Sequence, residues 1–182
     1  TTGTLENGAA ISNAVSVDGS NSVAFLTSDD RASFSSSGMF DSTKGRYEAY
    51  YYTTSVAAHH SLFSVSVDAD NYIRFFTYGT GDVSLQYNAT GQGDACTATT
   101  DGASMQNNTW YRITAYWTTS DENPNLYVSV CDVNGENCTE ASNNTNIKKH
   151  TGTLGDFRMG DTAGIAYGFY LDKIKVWDTT TP

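Results

Sequence analysis

From residue 47 to residue 87, and again from residue 110 to residue 117, the chain is made of short runs in which apolar residues recur at every second position. A period of two belongs to a strand and not to a helix. Tyr47, Ala49 and Tyr51 alternate with Glu48, Tyr50 and Tyr52, and Phe63, Val65 and Val67 alternate with His60, Leu62, Ser64 and Ser66. Asp68-Ala69-Asp70-Asn71 then turns the chain into residues 72–78, and Gly79-Thr80-Gly81-Asp82 turns it into residues 83–87. Strands at residues 110–117 and 126–130 follow, separated by Asp121-Glu122-Asn123-Pro124-Asn125. Nowhere is an i, i+3, i+4 pattern sustained beyond about two turns. Strands at roughly ten-residue spacing with turn residues between them predict an all-β chain. The expected architecture is a two-sheet antiparallel jelly-roll β-sandwich, one domain over residues 1–182.

The end of the chain carries the most apolar late segment. Tyr170, Asp172, Ile174, Val176 and Asp178 share one side of an extended strand, with Leu171, Lys173, Lys175 and Trp177 on the other. Placing Ile174 and Val176 inward predicts a closing strand set against strands near the N-terminus. It also puts Asp172 on the inward side, where a carboxylate needs a partner or the rim. Residues 1–20 read as loop, residues 22–27 as a short strand, and residues 88–108 as a long surface loop without a period. Residues 139–151 are polar and carry no clear period.

The 182 residues suffice for a two-sheet core, and no apolar run approaches the roughly 20 residues of a membrane helix. No signal peptide is visible, so a secreted protein would be represented here by its mature or excised piece. A net charge of −10 with only 10 Lys and Arg argues against nucleic acid and anionic membranes as partners, because phosphate binding needs clustered cations. Of three cysteines, Cys131 and Cys138 flank Asn134-Gly135, a two-residue hairpin signal that brings them opposite one another. A disulfide is expected there, with Cys96 left over, and it implies an extracellular setting.

With the more apolar face of each central strand as core, Ala49, Tyr51, Val65, Ile73, Phe75, Val83, Leu85, Tyr87, Ile113, Ala115, Trp117, Val128 and Val130 are inside. The opposite faces mix aromatic with planar polar side chains. Sugar rings present apolar C–H faces ringed by hydroxyls, and their sites combine those two kinds of side chain. Tyr50, Tyr52, Arg74, Phe76, Gln86, Arg112 and Tyr116 are therefore expected to line one ligand groove on adjacent strands, with His60 on the same outer register. The two arginines admit an acidic polysaccharide despite the overall charge. Glu48 is the only strand Glu on that face, so the paired carboxylates of glycoside hydrolysis are not in evidence. A lyase using Arg74, Gln86, His60 and Tyr116 on a uronate is an alternative, without a motif around those residues. Asp132-X-Asn134-X-Glu136 and Asp68-X-Asp70-Asn71 have the oxygen spacing of calcium loops but read better as hairpin turns.

Three stretches resemble one family. Met159-Gly160-Asp161 followed by residues 168–177, the Gly45-Arg46-Tyr47-Glu48-Ala49-Tyr50-Tyr51 strand, and the Trp110-led strand through Trp117 look like the LamG-like, concanavalin A-like lectin and glucanase jelly rolls. The Glu-X-Asp-X-X-Glu signature of the glucanase relatives is absent. The resemblance implies a jelly roll more firmly than any activity. It also implies a structural Ca²⁺ tying the first and last strands, here through Glu6 and Asp172. The expectation is a non-catalytic polysaccharide- or glycan-binding module, secreted or extracellular, attached to other domains of a larger enzyme or surface protein. A structural or adhesion domain of a surface or viral protein is the remaining alternative.

Overall fold

The computed structural model describes residues 3–34, 43–66, 68–119, 124–148, 155–160 and 168–177. Val67, Asp161, Asp178 and the 121–123 turn, all read from the sequence, lie outside them. The strands in chain order are β1 (Gly3–Glu6), β2 (Ala10–Ser12), β3 (Ser22–Phe25), β4 (Arg31–Phe34), β5 (Lys44–Thr53), β6 (Ser61–Ser66) and β7 (Tyr72–Thr77). They continue as β8 (Val83–Asn88), β9 (Cys96–Thr99), β10 (Trp110–Thr118), β11 (Asn125–Cys131), β12 (Thr139–Asn143), β13 (Phe157–Met159) and β14 (Phe169–Trp177). Two seven-stranded sheets result: a first sheet in the order β1-β4-β13-β6-β7-β8-β9 and a second in the order β12-β11-β10-β5-β14-β3-β2. Every strand pairing is antiparallel, and the chain is an all-β sandwich. The closing strand β14 sits between β5 and β3, against an N-terminal strand as expected.

The core lies between the sheets and is aromatic. Every side chain that the central strands' alternation assigns to the interior, from Ala49 to Val130, is at most 3% exposed. The Phe63 ring lies 5.0 Å from Tyr47, 5.3 Å from Phe157, 5.7 Å from Trp117 and 5.8 Å from Phe75 between centroids. Burying each such ring contributes about 1.5–3 kcal/mol, so a few large rings close a sandwich that is only 38% hydrophobic. Gly45 pairs with Trp117 in register, and a Cβ there would stand 2.4 Å from the indole. Only glycine lets that ring lie across β5.

Two bulges revise the faces read from the alternation. Opposite β7, the register of β6 slips between Ser61 and Phe63. The extra residue leaves both Leu62 and Phe63 fully buried and turns His60 inward, at 1% exposure. His60 stacks on Phe169 at 4.6 Å, and its Nδ1 lies 2.7 Å from the Tyr51 hydroxyl. It is a core residue, so the outer-face placement of His60 is corrected.

The second bulge is in β14, where the register slips between Asp172 and Lys175 and Lys173 adopts φ 49°. Phe169 and Leu171 face the core before it, while Ile174 and Val176 pack on the core after it. Asp172 is therefore on the outer face of the sheet beside Tyr50, and not on the inward side. Its Oδ2 accepts the Val17 backbone N–H at 2.9 Å and its Oδ1 accepts that of Lys173 at 2.7 Å.

Some stretches read as loop hold short strands. β1 and β2 lie within residues 1–20, and β9 lies within residues 88–108, paired to β8. The β11–β12 hairpin also differs in detail. Gly135 N–H bonds Asp132 O, Asp132 N–H bonds Glu136 O, and Gly135 has φ 81°. This is a three-residue loop with glycine in the left-handed position, and not the two-residue turn that Asn134-Gly135 suggested. Asn137, at φ 47°, is the extra residue that brings Cys138 opposite Cys131, and the two are disulfide-bonded. Cys96 is free and buried.

Candidate functional site

Antiparallel register lines up the outer-facing residues of the second sheet in rows. Trp110, Tyr52 and Tyr170 form one row across β10, β5 and β14, and Arg112, Tyr50 and Asp172 form the next. Thr114, Glu48 and Lys175 make a third, and Tyr116, Arg46 and Trp177 a fourth. On the other side of β10, Cys131, Ser129 and Tyr127 of β11 pair with Arg112, Thr114 and Tyr116. The face thus has an aromatic end, a charged middle and a second aromatic end.

Tyr116 and Tyr127 stack at 4.6 Å with planes 11° apart, and Asn125 Nδ2 donates to the Tyr116 hydroxyl at 3.3 Å. At the opposite end Tyr52 meets Trp110 at 5.3 Å and Tyr170 at 5.7 Å. Between them Glu48 is surrounded by cations: Arg112 at 2.8 Å, Arg46 at 3.4 Å and Lys175 at 3.7 Å. Burial alone would raise the Glu48 pKa, but the Arg112 hydrogen bond and charge, with Arg46 and Lys175, hold it below the ordinary value. Three cations thus gather around one carboxylate in the middle of the face, and Asp172 and Glu140 bring two further carboxylates to its edges.

A cleft of about 420 Å³ opens here, lined by Arg46, Arg112, Tyr116, Tyr127, Ser129 and Glu140 and closed at one wall by the Cys131–Cys138 hairpin. Burial, then a hydrogen bond to Glu140, pushes the Tyr127 phenol up to about 12, so it stays neutral at physiological pH. Gly135 backs onto Arg112: a Cβ at that position would stand 2.7 Å from Nη1. The disulfide-closed hairpin and Arg112 are in direct packing contact.

Of the residues expected in one groove, Tyr50, Tyr52, Arg112 and Tyr116 do share this face. Arg74, Phe76 and Gln86 do not, because β7 and β8 belong to the first sheet and their outer face is the opposite side of the sandwich. The single groove is thereby corrected to two separate faces. The lyase grouping separates with it: Tyr116 is on one face, Arg74 and Gln86 on the other, and His60 in the core between. Arg46, Trp110 and Tyr127 also belong to the site. They lie two residues from Glu48, two from Arg112 and opposite Tyr116, positions that the same period marks as outward.

Glu6 and Asp172 are not brought together either. Glu6 is on β1 of the first sheet, where its Oε2 accepts the Arg31 Nε–H at 2.7 Å, while Asp172 on the second sheet has the amide partners given above. Among the described residues no group of three or more His, Cys, Asp or Glu converges as a metal site would. Asp68 and Asp132, in the two turns with calcium-like spacing, accept hydrogen bonds from their own turn amides.

No protein-family model and no curated protein matches the chain. Solved structures do. The botulinum neurotoxin serotype D binding domain aligns with a TM-score of 0.70 at 7% identity, over 98% of this chain and 43% of that one. The CBM40 domain of a Ruminococcus gnavus IT-sialidase, bound to α2,3 sialyllactose, aligns with a TM-score of 0.58 at 18% identity, over 77% and 78% of the two chains. The enzymatically active domain of bacteriophage CBA120 tailspike protein 2 gives 0.62 at 12% identity, over 86% of this chain and 25% of that one.

The likeness is one of fold. The chain spans less than half the length of the toxin domain and a quarter of the tailspike domain.

Proposed function

We propose that this domain is a non-catalytic glycan-binding module of the LamG-like, concanavalin A-like type, and that it binds an acidic glycan in the cleft on the outer face of the second sheet. The observation that carries the reading is the stacked Tyr116–Tyr127 pair beside Arg46 and Arg112 in one cleft. The tyrosines offer a platform for a ring's C–H face and the guanidiniums offer paired donors to a carboxylate. The Ruminococcus CBM40 domain is described as bound to α2,3 sialyllactose, and the binding domain of botulinum neurotoxin DC as in complex with SialylT. Both descriptions favour a sialylated sugar as the first ligand to try. The module is secreted, consistent with its disulfide, and forms part of a longer polypeptide that supplies other domains.

Calorimetric titration with 3′-sialyllactose and with lactose tests the reading. Binding of the sialylated sugar only, weakening as salt rises from 50 to 500 mM, is the expected result. Equal binding of lactose, or no salt response, contradicts the acidic-glycan assignment.

A further inference from the structure

The first sheet's outer face has a second construction of its own. On β13, β6 and β7, Arg158, Ser64 and Arg74 are consecutive in one row of the register. One row further along, Ser66 pairs with Tyr72, and Asp156 lies two residues before Arg158 on the same side. The middle strand of the three carries only hydroxymethyl side chains outward, while both neighbours carry long ones. The result is a trough with a serine floor and walls two strand spacings apart, about 10 Å. Its β13 side is a cleft of about 330 Å³ lined by Ser64, Ser66, Gly155, Asp156 and Arg158. That volume is in the range of small-ligand sites.

The trough is held open by its backbone. Gly155 N–H bonds Ser66 O at 3.1 Å, and a Cβ on Gly155 would stand 2.6 Å from that oxygen. The segment leading into β13 is therefore pressed onto the end of β6, which fixes the Asp156 and Arg158 wall. On the other wall the Arg74 guanidinium carbon lies over Tyr72, 4.1 Å from the ring centroid. Among the described residues neither Arg74 nor Arg158 forms an ion pair within 4 Å, although the Arg158 charge helps hold the Glu6 pKa below its ordinary value. Two such cations facing each other across a serine are unusual on a chain this acidic.

We infer that this trough is a second saccharide site, for a sugar bearing a carboxylate. The carboxylate lies in the Arg158–Ser64–Arg74 row, where both guanidiniums and the Ser64 hydroxyl donate to it. The ring extends over Ser66, with Asp156 accepting from a hydroxyl, while Tyr72 backs the Arg74 guanidinium. This is the chemistry of a uronate unit within a chain. The site is independent of the second-sheet cleft and stands or falls without it.

The test is an amide chemical-shift titration of the whole chain with a hyaluronan tetrasaccharide, which carries glucuronate, and with neutral cellotetraose. It is run on the parent, on the Arg112→Gln/Tyr116→Ala variant and on the Arg74→Gln/Arg158→Gln variant. The expected result is saturable shifts at Ser64 and Ser66 with the hyaluronan fragment alone, unchanged in the first variant and at least about tenfold weaker in the second. Shifts at Ser64 and Ser66 that persist at parental affinity in Arg74→Gln/Arg158→Gln, or that cellotetraose produces equally, overturn the inference, as does their absence from the parent. Failure of the second-sheet cleft would appear elsewhere, as missing shifts at Thr114 and Ser129 with sialyllactose.

Discussion

Val17 donates its backbone N–H to Asp172 Oδ2 at 2.9 Å, across 155 residues of chain. Asp172 is 7% exposed, and its other oxygen takes the Lys173 N–H inside the β14 bulge. One carboxylate thus ties the N-terminal segment to the outer face of the last strand and steadies a residue with positive φ. Asp172→Ala removes the acceptor from both amides and should cost about 1.5–3 kcal/mol. For a domain of this size that is a fall in melting temperature of roughly 3–12 °C. Calorimetry with calcium and with EDTA checks it: this account expects the loss from Asp172→Ala to be the same in both. A loss seen only with calcium present would restore the metal bridge to Glu6.

The hairpin over the cleft should respond to two different changes. Reducing the Cys131–Cys138 bridge frees a short loop in the unfolded chain and should lower stability by about 2–3 kcal/mol. Thiol counting in denaturant without reductant should find only Cys96 reactive. Gly135→Ala forces a methyl into the left-handed region and toward Arg112 Nη1. It should cost about 1 kcal/mol of stability and weaken sialylated-sugar binding while the disulfide stays intact. Parental affinity in that variant would separate the hairpin from the site.

Glu48 sets the acid limit of the cleft. Its folded pKa is depressed, so its contribution is complete above the unfolded value near 4.3 and is lost as pH falls through the lower folded value. Unfolding free energy should therefore decline on acidification below about pH 5, and Glu48→Gln should be less stable at pH 7 with a shallower decline. Urea melts from pH 7 to pH 3 measure this. Identical slopes for parent and variant would mean that the three cations do not act through Glu48.

The central strands, the core and the outward register of Tyr50, Tyr52, Arg112 and Tyr116 are legible in the alternation, because period two follows directly from strand geometry. What alternation does not carry is phase across a bulge. One extra residue at Leu62 reverses His60, and one at Lys173–Ile174 reverses Asp172 relative to Ile174. Neither bulge is marked by a glycine. Nor does a period say which sheet a strand joins: Arg74 and Arg112 are equally outward, yet face opposite sides of the sandwich. Sheet membership is set by long-range pairing, such as β14 between β5 and β3, which no local pattern records.

The cleft's assignment rests on two chemistries acting on one ligand, and paired variants separate them. The most direct measurement is 3′-sialyllactose affinity for Arg112→Gln and Tyr127→Ala at 50 and 500 mM salt, with folding checked by melting. Arg112→Gln should lose about tenfold or more at low salt and much less at high salt, because it removes a charge-assisted contact. Tyr127→Ala should lose a similar factor at both, since stacking on a ring is not screened. Two folded variants that bind the sugar as the parent does would contradict the account.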